Sequence, residues 1–227
     1  QFLLTAAKEY VCLMHLHQEV SEETIREVIK KFIGKIQQRP PLKSAVKRVE
    51  RTREIYEFEI IEIKGKDVLF RVKCQAGTYI RVLCHKIGEE LGVGAHMAEL
   101  RRTQAGPFTE RDQLVTLNDL QDAYHFYKEE NNPAFLMHCI QPVENALKHI
   151  SKCWIFDTTL KSVSHGRDVA IPGISKLESF RKGETVAVMT LKNELVAIGE
   201  AVMSAVEINT QQKGIAINIK KVFMEPQ

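Results

Sequence analysis

The chain has 227 residues, of which 32 are Lys or Arg and 29 are Asp or Glu, giving a formal charge of +3. With 44% hydrophobic and 27% charged residues, this is the makeup of a globular chain of one or two domains, and it excludes the disordered and collagen-like classes. No uninterrupted apolar stretch approaches the roughly 18 residues that span a bilayer as a helix, and residues 1–8 lack the basic-then-apolar order of a signal peptide.

In chain order, Tyr10 to His17, with Val11 and Leu13 among its apolar residues, reads as a strand bounded by the polar cluster at 18–21. Ser21 then caps a helix whose first turn is acidic (Glu22, Glu23) and whose apolar residues Ile25, Val28, Ile29, Phe32 and Ile33 recur at helical spacing up to Gly34. Arg39-Pro40-Pro41 forces an extended path. Beyond it Tyr56, Phe58 and Ile60 alternate, Lys64-Gly65-Lys66 turns, and Val68, Phe70, Val72 and Cys74 alternate again, which predicts a β-hairpin. A second helix is expected from Gly77, carried by Ile80, Leu83, Cys84, Ile87 and Leu91 and ended by Gly92 and Gly94. Leu100 to Thr103 reads as a strand leading into a turn at Gly106-Pro107, with Arg101 and Arg102 exposed.

Thr116-x-x-Asp119 opens a third helix to about Lys128, residues 129–133 break it, and more helix is expected to His149. After that the texture changes. Asp157 is expected to cap a short helix closed by Gly166, followed by brief strands over 185–191, 195–203 and 214–223, so the chain divides into residues 1–149 and a small β-rich domain at 150–227.

Several constellations bear on chemistry. Arg39, Lys43, Lys47, Arg48, Arg51 and Arg53 crowd one segment, opposed within it only by Glu50. Such a strip can track a phosphate backbone through counterion release, or simply serve as a charged sheet edge. Gly77-Thr78-Tyr79-Ile80-Arg81 joins a strand to a helix and places Tyr79 and Arg81 in the expected first turn, where the arginine can pair with a carboxylate or bind phosphate. His15 and His17 share one face of a strand, but no third ligand stands at metal spacing. Cys84 and His85 point about 100° apart on a helix and make no nucleophile–base pair. The five cysteines (Cys12, Cys74, Cys84, Cys139, Cys153), odd in number and without Cys-x-x-Cys spacing, read as reduced buried thiols. Neither a phosphate-cradling lysine loop nor a dinucleotide fingerprint is present.

Taken together, Lys8-Glu9-Tyr10, Gln38-Arg39-Pro40-Pro41 with Ser44-Ala45-Val46-Lys47, Gly77-Thr78-Tyr79-Ile80-Arg81, Gly92-Val93-Gly94-Ala95-His96 and Leu100-Arg101-Arg102 resemble, in order and spacing, the TruB family of pseudouridine synthases, on its archaeal dyskerin-like branch. That resemblance implies an α+β fold, with a mixed or antiparallel sheet, flanking helices and a small β-barrel-like PUA domain at the C-terminus. It implies the isomerisation of uridine to pseudouridine in ribosomal RNA chosen by an H/ACA guide, with a guide-independent tRNA T-loop synthase or a non-catalytic RNA scaffold as alternatives. No metal or organic cofactor is implied, and the partners would be the guide RNA and three small particle proteins, in the cytoplasm for an archaeal type and the nucleolus for a eukaryotic one.

Residue by residue, Tyr10 resembles the tyrosine that stacks on the flipped uracil, Arg81 the arginine paired with the catalytic aspartate, Leu100 an apolar wall of the base pocket and Lys47 a lysine beside it. RNA contacts are expected at Arg39, Lys43, Arg48, Arg51, Tyr79, Arg101 and Arg102, and in the PUA part at Gly166, Arg167, Pro172 and Gly173. Arg167 departs from the small residue usual after Gly166. The larger departure is that the family's Gly-Thr-Leu-Asp loop, which carries the nucleophilic aspartate ahead of the Lys-Glu-Tyr strand, has no counterpart among these residues, and it is expected upstream of Gln1.

Overall fold

The structure is a computed structural model that describes residues 6–40, 49–112 and 114–225. Lys43, Lys47 and Arg48, three of the expected site residues, lie outside the described residues, as do 41–42 and 44–46. The chain forms two compact units, Gln1–Leu114 and Val115–Gln227, each with its own core.

The first unit is an antiparallel six-stranded sheet in the order β2-β3-β4-β1-β5-β6, made of β1 (Lys8–Leu16), β2 (Gly34–Gln38), β3 (Arg51–Lys64), β4 (Asp67–Cys74), β5 (Ala95–Ala105) and β6 (Phe108–Thr109). Two helices, α1 (Glu22–Lys30) and α2 (Ile80–Glu90), supply the other half of the core. Alternation along β1 buries Cys12, Met14 and Leu16, while Val11 and Leu13, from which the strand is read, fall on the other, partly exposed face, and Cys12 Sγ meets Cys84 Sγ of α2 at 3.7 Å. The row that carries Tyr10 is therefore the row that faces α2. As expected, Ser21 caps α1, its hydroxyl accepting from Thr24 N at 3.3 Å.

Two expectations for this unit need correction. In β3 it is Ile55, not Tyr56, that is buried. A bulge leaves Ile55 opposite Cys74 and Glu57 opposite Lys73, so Tyr56 falls between partners and stands 43% exposed. The second helix begins at Ile80 rather than Gly77, because Gly77 takes φ +80°, Thr78 turns back through an Oγ1 bond to Gln75 O (2.7 Å), and Tyr79 is extended at the N-cap. Arg81 is thus in the first helical turn, but Tyr79 precedes it.

The second unit opens with α3 (Leu117–Glu130), whose expected capping box forms: Asp119 N donates to Thr116 Oγ1 (3.1 Å) and Thr116 N to Asp119 Oδ2 (2.7 Å). The helix expected to His149 instead stops as α4 (Ala134–Cys139), because Pro142 offers no N–H and constrains the residue before it; a 3₁₀ turn follows at Val143–Leu147. The second sheet runs β8-β12-β11-β10-β7-β9, with β7 (Ser151–Ile155), β8 (Val169–Ala170), β9 (Ile174–Leu177), β10 (Thr185–Met189), β11 (Leu195–Ala201) and β12 (Ile215–Val222). Among the described residues only the β7–β10 pair is parallel. Between β7 and β8 lies α5 (Asp157–Ser164), in which Asp157 is the first helical residue and Phe156 the uncapped N-cap, so Asp157 serves the helix dipole rather than the cap. A last helix, α6 (Ala205–Thr210), carries a Ser204–Glu207 capping box. Together the two units give the α+β fold expected, an antiparallel sheet with flanking helices and a C-terminal β-rich unit.

Candidate RNA-binding and catalytic site

Lys8–Tyr10, Gln38–Pro40, Gly77–Arg81 and Leu100–Arg102 stand toward one end of the first unit's sheet, whereas Gly92–His96 stands at the other. Register places Arg102 opposite Tyr10, Leu100 opposite Cys12, and Lys8 opposite Cys74. Tyr10 is half-buried against the core. Burial pushes its phenol above its usual range, the Cys74 thiol adds to that, and the Arg102 guanidinium pulls the other way. At neutral pH it is a neutral ring that can stack and hydrogen-bond. Lys8 Nζ donates to Ala6 O at 2.6 Å, and its ammonium is held below its usual range by burial first and by Arg102 second. Leu100, in the same row as the buried Cys12, is 41% exposed, so this row runs from a covered core to an open apolar surface.

Across the sheet, Gln38 ends β2 at 1% exposure. Its amide grips Tyr79 at both backbone groups: Tyr79 N donates to Oε1 (2.9 Å) and Nε2 donates to Tyr79 O (3.2 Å). Arg81 follows two residues later, exposed, and among the described residues no ion pair holds its guanidinium. Arg53 lies over the Gly77 turn. A Cβ added at Gly77 would sit 3.3 Å from both Nε and Nη2, and Nε is the one buried side-chain polar atom without a partner among the described residues. Arg39 is exposed and Arg51 half-buried beside it. Arg101, on the opposite face from Arg102, pairs with Glu110.

None of the aspartates in this unit serves Tyr10. Asp67 binds His15 at the far end of β1 (Nδ1 to Oδ1, 2.7 Å), and Asp112 accepts from Thr109. At that far end His96 joins the two strand histidines, with His17 Nε2 and His96 Nδ1 at 3.1 Å. Among the described residues, however, no group of three His, Cys, Asp or Glu is arranged to hold a metal.

In the second unit a cavity of 430 Å³ is lined by Thr158, Lys161, Ser162, His165 and Arg167. Gly166, at φ +86°, turns the chain so that Arg167 N reaches Ser162 O (3.1 Å), which brings the Arg167 side chain to the same wall as Lys161. Pro172 and Gly173 form a 3₁₀ turn against α5, where a Cβ on Gly173 would come 2.7 Å from Thr159 Oγ1. Lys161 and His165 join the expected Arg167 here. Neither these nor Gln38 was singled out by charge or spacing alone, although Gln38 stands in the quoted Gln-Arg-Pro-Pro wording.

Comparison with known proteins bears on both units. The TruB family pseudouridylate synthase N-terminal domain matches residues 1–80, the tRNA pseudouridylate synthase B C-terminal domain residues 81–148, and the PUA domain residues 152–223. A protein of Pyrococcus abyssi named probable tRNA pseudouridine synthase B is 57% identical over 225 residues, covering 99% of this chain and 67% of that protein. One of the same name from Methanothermobacter thermautotrophicus is 56% identical over 227 residues, covering 100% of this chain and 70% of that protein. The chain thus spans about two thirds of such relatives. Among solved structures, a chain of a Cbf5-Nop10-Gar1 complex superposes at TM-score 0.90 with 54% identity, covering 98% of this chain and 68% of that one. A chain of an H/ACA RNP bound to a substrate RNA containing 2'-deoxyuridine superposes at TM-score 0.90 with 51% identity, covering 100% and 68%.

Proposed function

The chain belongs to the TruB family of pseudouridylate synthases, and from that premise we propose that it isomerises uridine to pseudouridine in ribosomal RNA selected by an H/ACA guide, as the catalytic subunit of a ribonucleoprotein. The observation that carries this reading is that the chain, over both units, aligns at 51–52% identity with chains of an H/ACA RNP and of an archaeal box H/ACA sRNP Nop10-Cbf5 complex. In this reading Tyr10 stacks on the flipped uracil, Leu100 walls the base pocket, and Arg81 meets the nucleophilic aspartate of the family's Gly-Thr-Leu-Asp loop. Stacking and an ionised, arginine-paired carboxylate are what a flipped base needs in a partly dry pocket. Lys43, Lys47, Arg48 and Arg51, with Arg39 and Tyr79, follow the RNA backbone, and Arg101 and Arg102 border it from β5. Residues 150–227 hold the guide through the wall of Lys161, Arg167, Pro172 and Gly173 around Gly166. The protein partners are small subunits of the kind named in the solved complexes, Nop10 and Gar1, with a kink-turn-binding protein as the third, in an archaeal cytoplasm.

A second reading, a synthase acting on free tRNA, is favoured by the names of the relatives. The full-length polypeptide decides between them when pseudouridine is measured in a guide-matched rRNA fragment and in a free T-loop RNA, each with and without guide. Guide-dependent product in the rRNA fragment is expected. Robust guide-independent product on the T-loop, with none in the rRNA fragment, would replace the first reading by the second.

A further inference from the structure

We propose that Gln38 is a positioning residue for the synthase reaction: its buried amide fixes the start of α2, and with it Arg81, to the strand from which the basic segment departs. This rests on the synthase reading above. The position is one where an apolar residue would be expected, since Ile36, two residues before it on the same face of β2, and Ile80, next to the Tyr79 it binds, belong to one buried cluster. A buried amide persists there only if both its ends are satisfied, and both are satisfied by one residue, Tyr79. Tyr79 needs that help. It is the N-cap of α2 but makes no side-chain cap bond, its backbone is extended (φ −97°, ψ 103°), and the turn before it is a glycine at φ +80° that cannot hold a direction by itself. Its carbonyl takes Leu83 N at 3.0 Å as the first helical bond and Gln38 Nε2 at 3.2 Å as a second donor. Gln38 thus plays, from another strand, the part of the N3 side chain in a capping box, its Oε1 taking the N–H of the N-cap residue itself.

The link has a direction. On one side of Gln38 the chain is held in β2 by the Gln38–Arg51 bridge, and on the other it enters Arg39-Pro40 and the basic segment. On the α2 side, Arg81 stands two residues after the gripped backbone. A second tie, Lys86 Nζ to Gln37 O at 2.6 Å, keeps the neighbouring turn of α2 on the same strand. The strand that leads into the RNA-tracking segment and the helix that presents Arg81 therefore move as one piece, and removing the amide releases the helix start.

The test uses the full-length polypeptide with its guide and target RNA, comparing wild type, Gln38→Met, Arg81→Lys and the double variant. Met keeps the length and apolar bulk and removes both hydrogen bonds. The expected result is a loss of kcat on the order of 10- to 100-fold for Gln38→Met, the scale of a misplaced reacting group. RNA affinity should stay within about twofold and a cooperative melt should be retained, with little added loss in the double variant because both changes act through Arg81. A kcat within about twofold of wild type, or losses that multiply in the double variant, overturns the proposal.

Should Gln38→Met fail to fold, Gln38→Glu stands in for it. Only the protonated carboxyl can donate to Tyr79 O, so its activity relative to wild type should rise as pH falls, and a flat ratio overturns the proposal. If wild type itself makes no pseudouridine, the functional reading fails, while amide exchange still tests the placement. Exchange in Gln38→Met should quicken at residues 79–83 and leave β1 and β5 unchanged; an unaltered pattern at 79–83 overturns it.

Discussion

Gly88→Ala is a substitution for which local and tertiary physics point in opposite directions. Gly88 lies inside α2, where alanine is worth about 1 kcal/mol more than glycine by intrinsic propensity. Against that, a Cβ at Gly88 would lie 2.1 Å from Ala95 N, 2.5 Å from Gly94 C and 2.6 Å from Ala95 Cβ, where ordinary contact begins near 3.4 Å. The first two atoms are backbone and cannot rotate away. The end of α2 must therefore retreat from the start of β5 by about an ångström, stretching the bonds that Gly88 O accepts from Gly94 N (2.9 Å) and Val93 N (3.2 Å). Overpacking costs roughly 1–3 kcal/mol, and two weakened backbone bonds about 0.5–1.5 kcal/mol each. After subtracting the propensity gain, the expected net loss is about 3 kcal/mol. Urea unfolding followed by far-UV circular dichroism measures it. The chain's single tryptophan, Trp154, belongs to the second unit, so its fluorescence midpoint should stay put and serve as the internal control. Gly92→Ala is the second control. Its Cβ meets nothing within 4 Å, but its φ of +73° imposes a left-handed penalty of about 1–2 kcal/mol. If Gly88→Ala proved as stable as wild type, the close approach of α2 to β5 would be wrong.

In the second unit, Gly199→Ala should lower the Trp154 fluorescence midpoint, because its Cβ would come within 2.5 Å of Asn218 O on β12; an unchanged midpoint would place β11 and β12 further apart than described. Thiol alkylation at neutral pH, read by mass spectrometry of peptides, should label Cys139 first. Burial holds Cys74 up to about 11 and Cys153 up to about 12, and the Cys84 thiol is raised first by its contact with Cys12 Sγ and then by burial; rapid labelling of Cys74 would contradict its burial. Because these thiols keep their protons longer when folded than when unfolded, the same shifts predict that stability declines as pH rises above 9.0 toward about 11 to 12, with no such loss below 9.0. Tyr10→Phe should keep RNA affinity within about threefold while abolishing most turnover, and full activity in that variant would remove Tyr10 from the chemistry.

Much of this was legible in the residues because the periods were clean. Val68 to Cys74 in β4 and the Thr116–Asp119 capping box each signal one element by a local rule, and each formed where expected, whereas β1, read from Val11 and Leu13, forms with the other row, Cys12, Met14 and Leu16, buried. The errors arose where a single residue overrode a run. A bulge swapped Tyr56 for Ile55, a left-handed Gly77 delayed α2 by three residues, and Pro142 cut short the helix expected to His149. At the site, the pairing of Tyr10 with Arg102 is a register property of β1 and β5, and neither residue's neighbours in sequence encode it. Gln38 was hidden for a similar reason: in sequence it is a polar residue next to an arginine, and only the approach of Tyr79 from 41 positions away makes it a cap.

The ties on α2 differ in kind, and that difference predicts which substitutions reach the site. Lys31 Nζ meets Glu90 Oε1 at 2.7 Å across the helix end, the shortest ion-pair distance on this helix, yet both side chains are largely exposed, at 62% and 46%. An exposed pair contributes about 0–1 kcal/mol and is screened by salt, so Lys31→Ala should shift the unfolding midpoint little and leave turnover unchanged. The Gln38 grip has longer bonds, at 2.9 and 3.2 Å, but releasing it takes from Tyr79 N its part-buried acceptor, at about 1–3 kcal/mol, while Tyr79 O keeps Leu83 N. Distance alone would rank the surface pair first, whereas burial ranks it last. Measuring both variants side by side, in low and high salt, separates the two rankings: a Lys31→Ala loss as large as that of Gln38→Met would mean that α2 is held from its exposed face, and Arg81 would then owe its place to charge rather than to the buried amide.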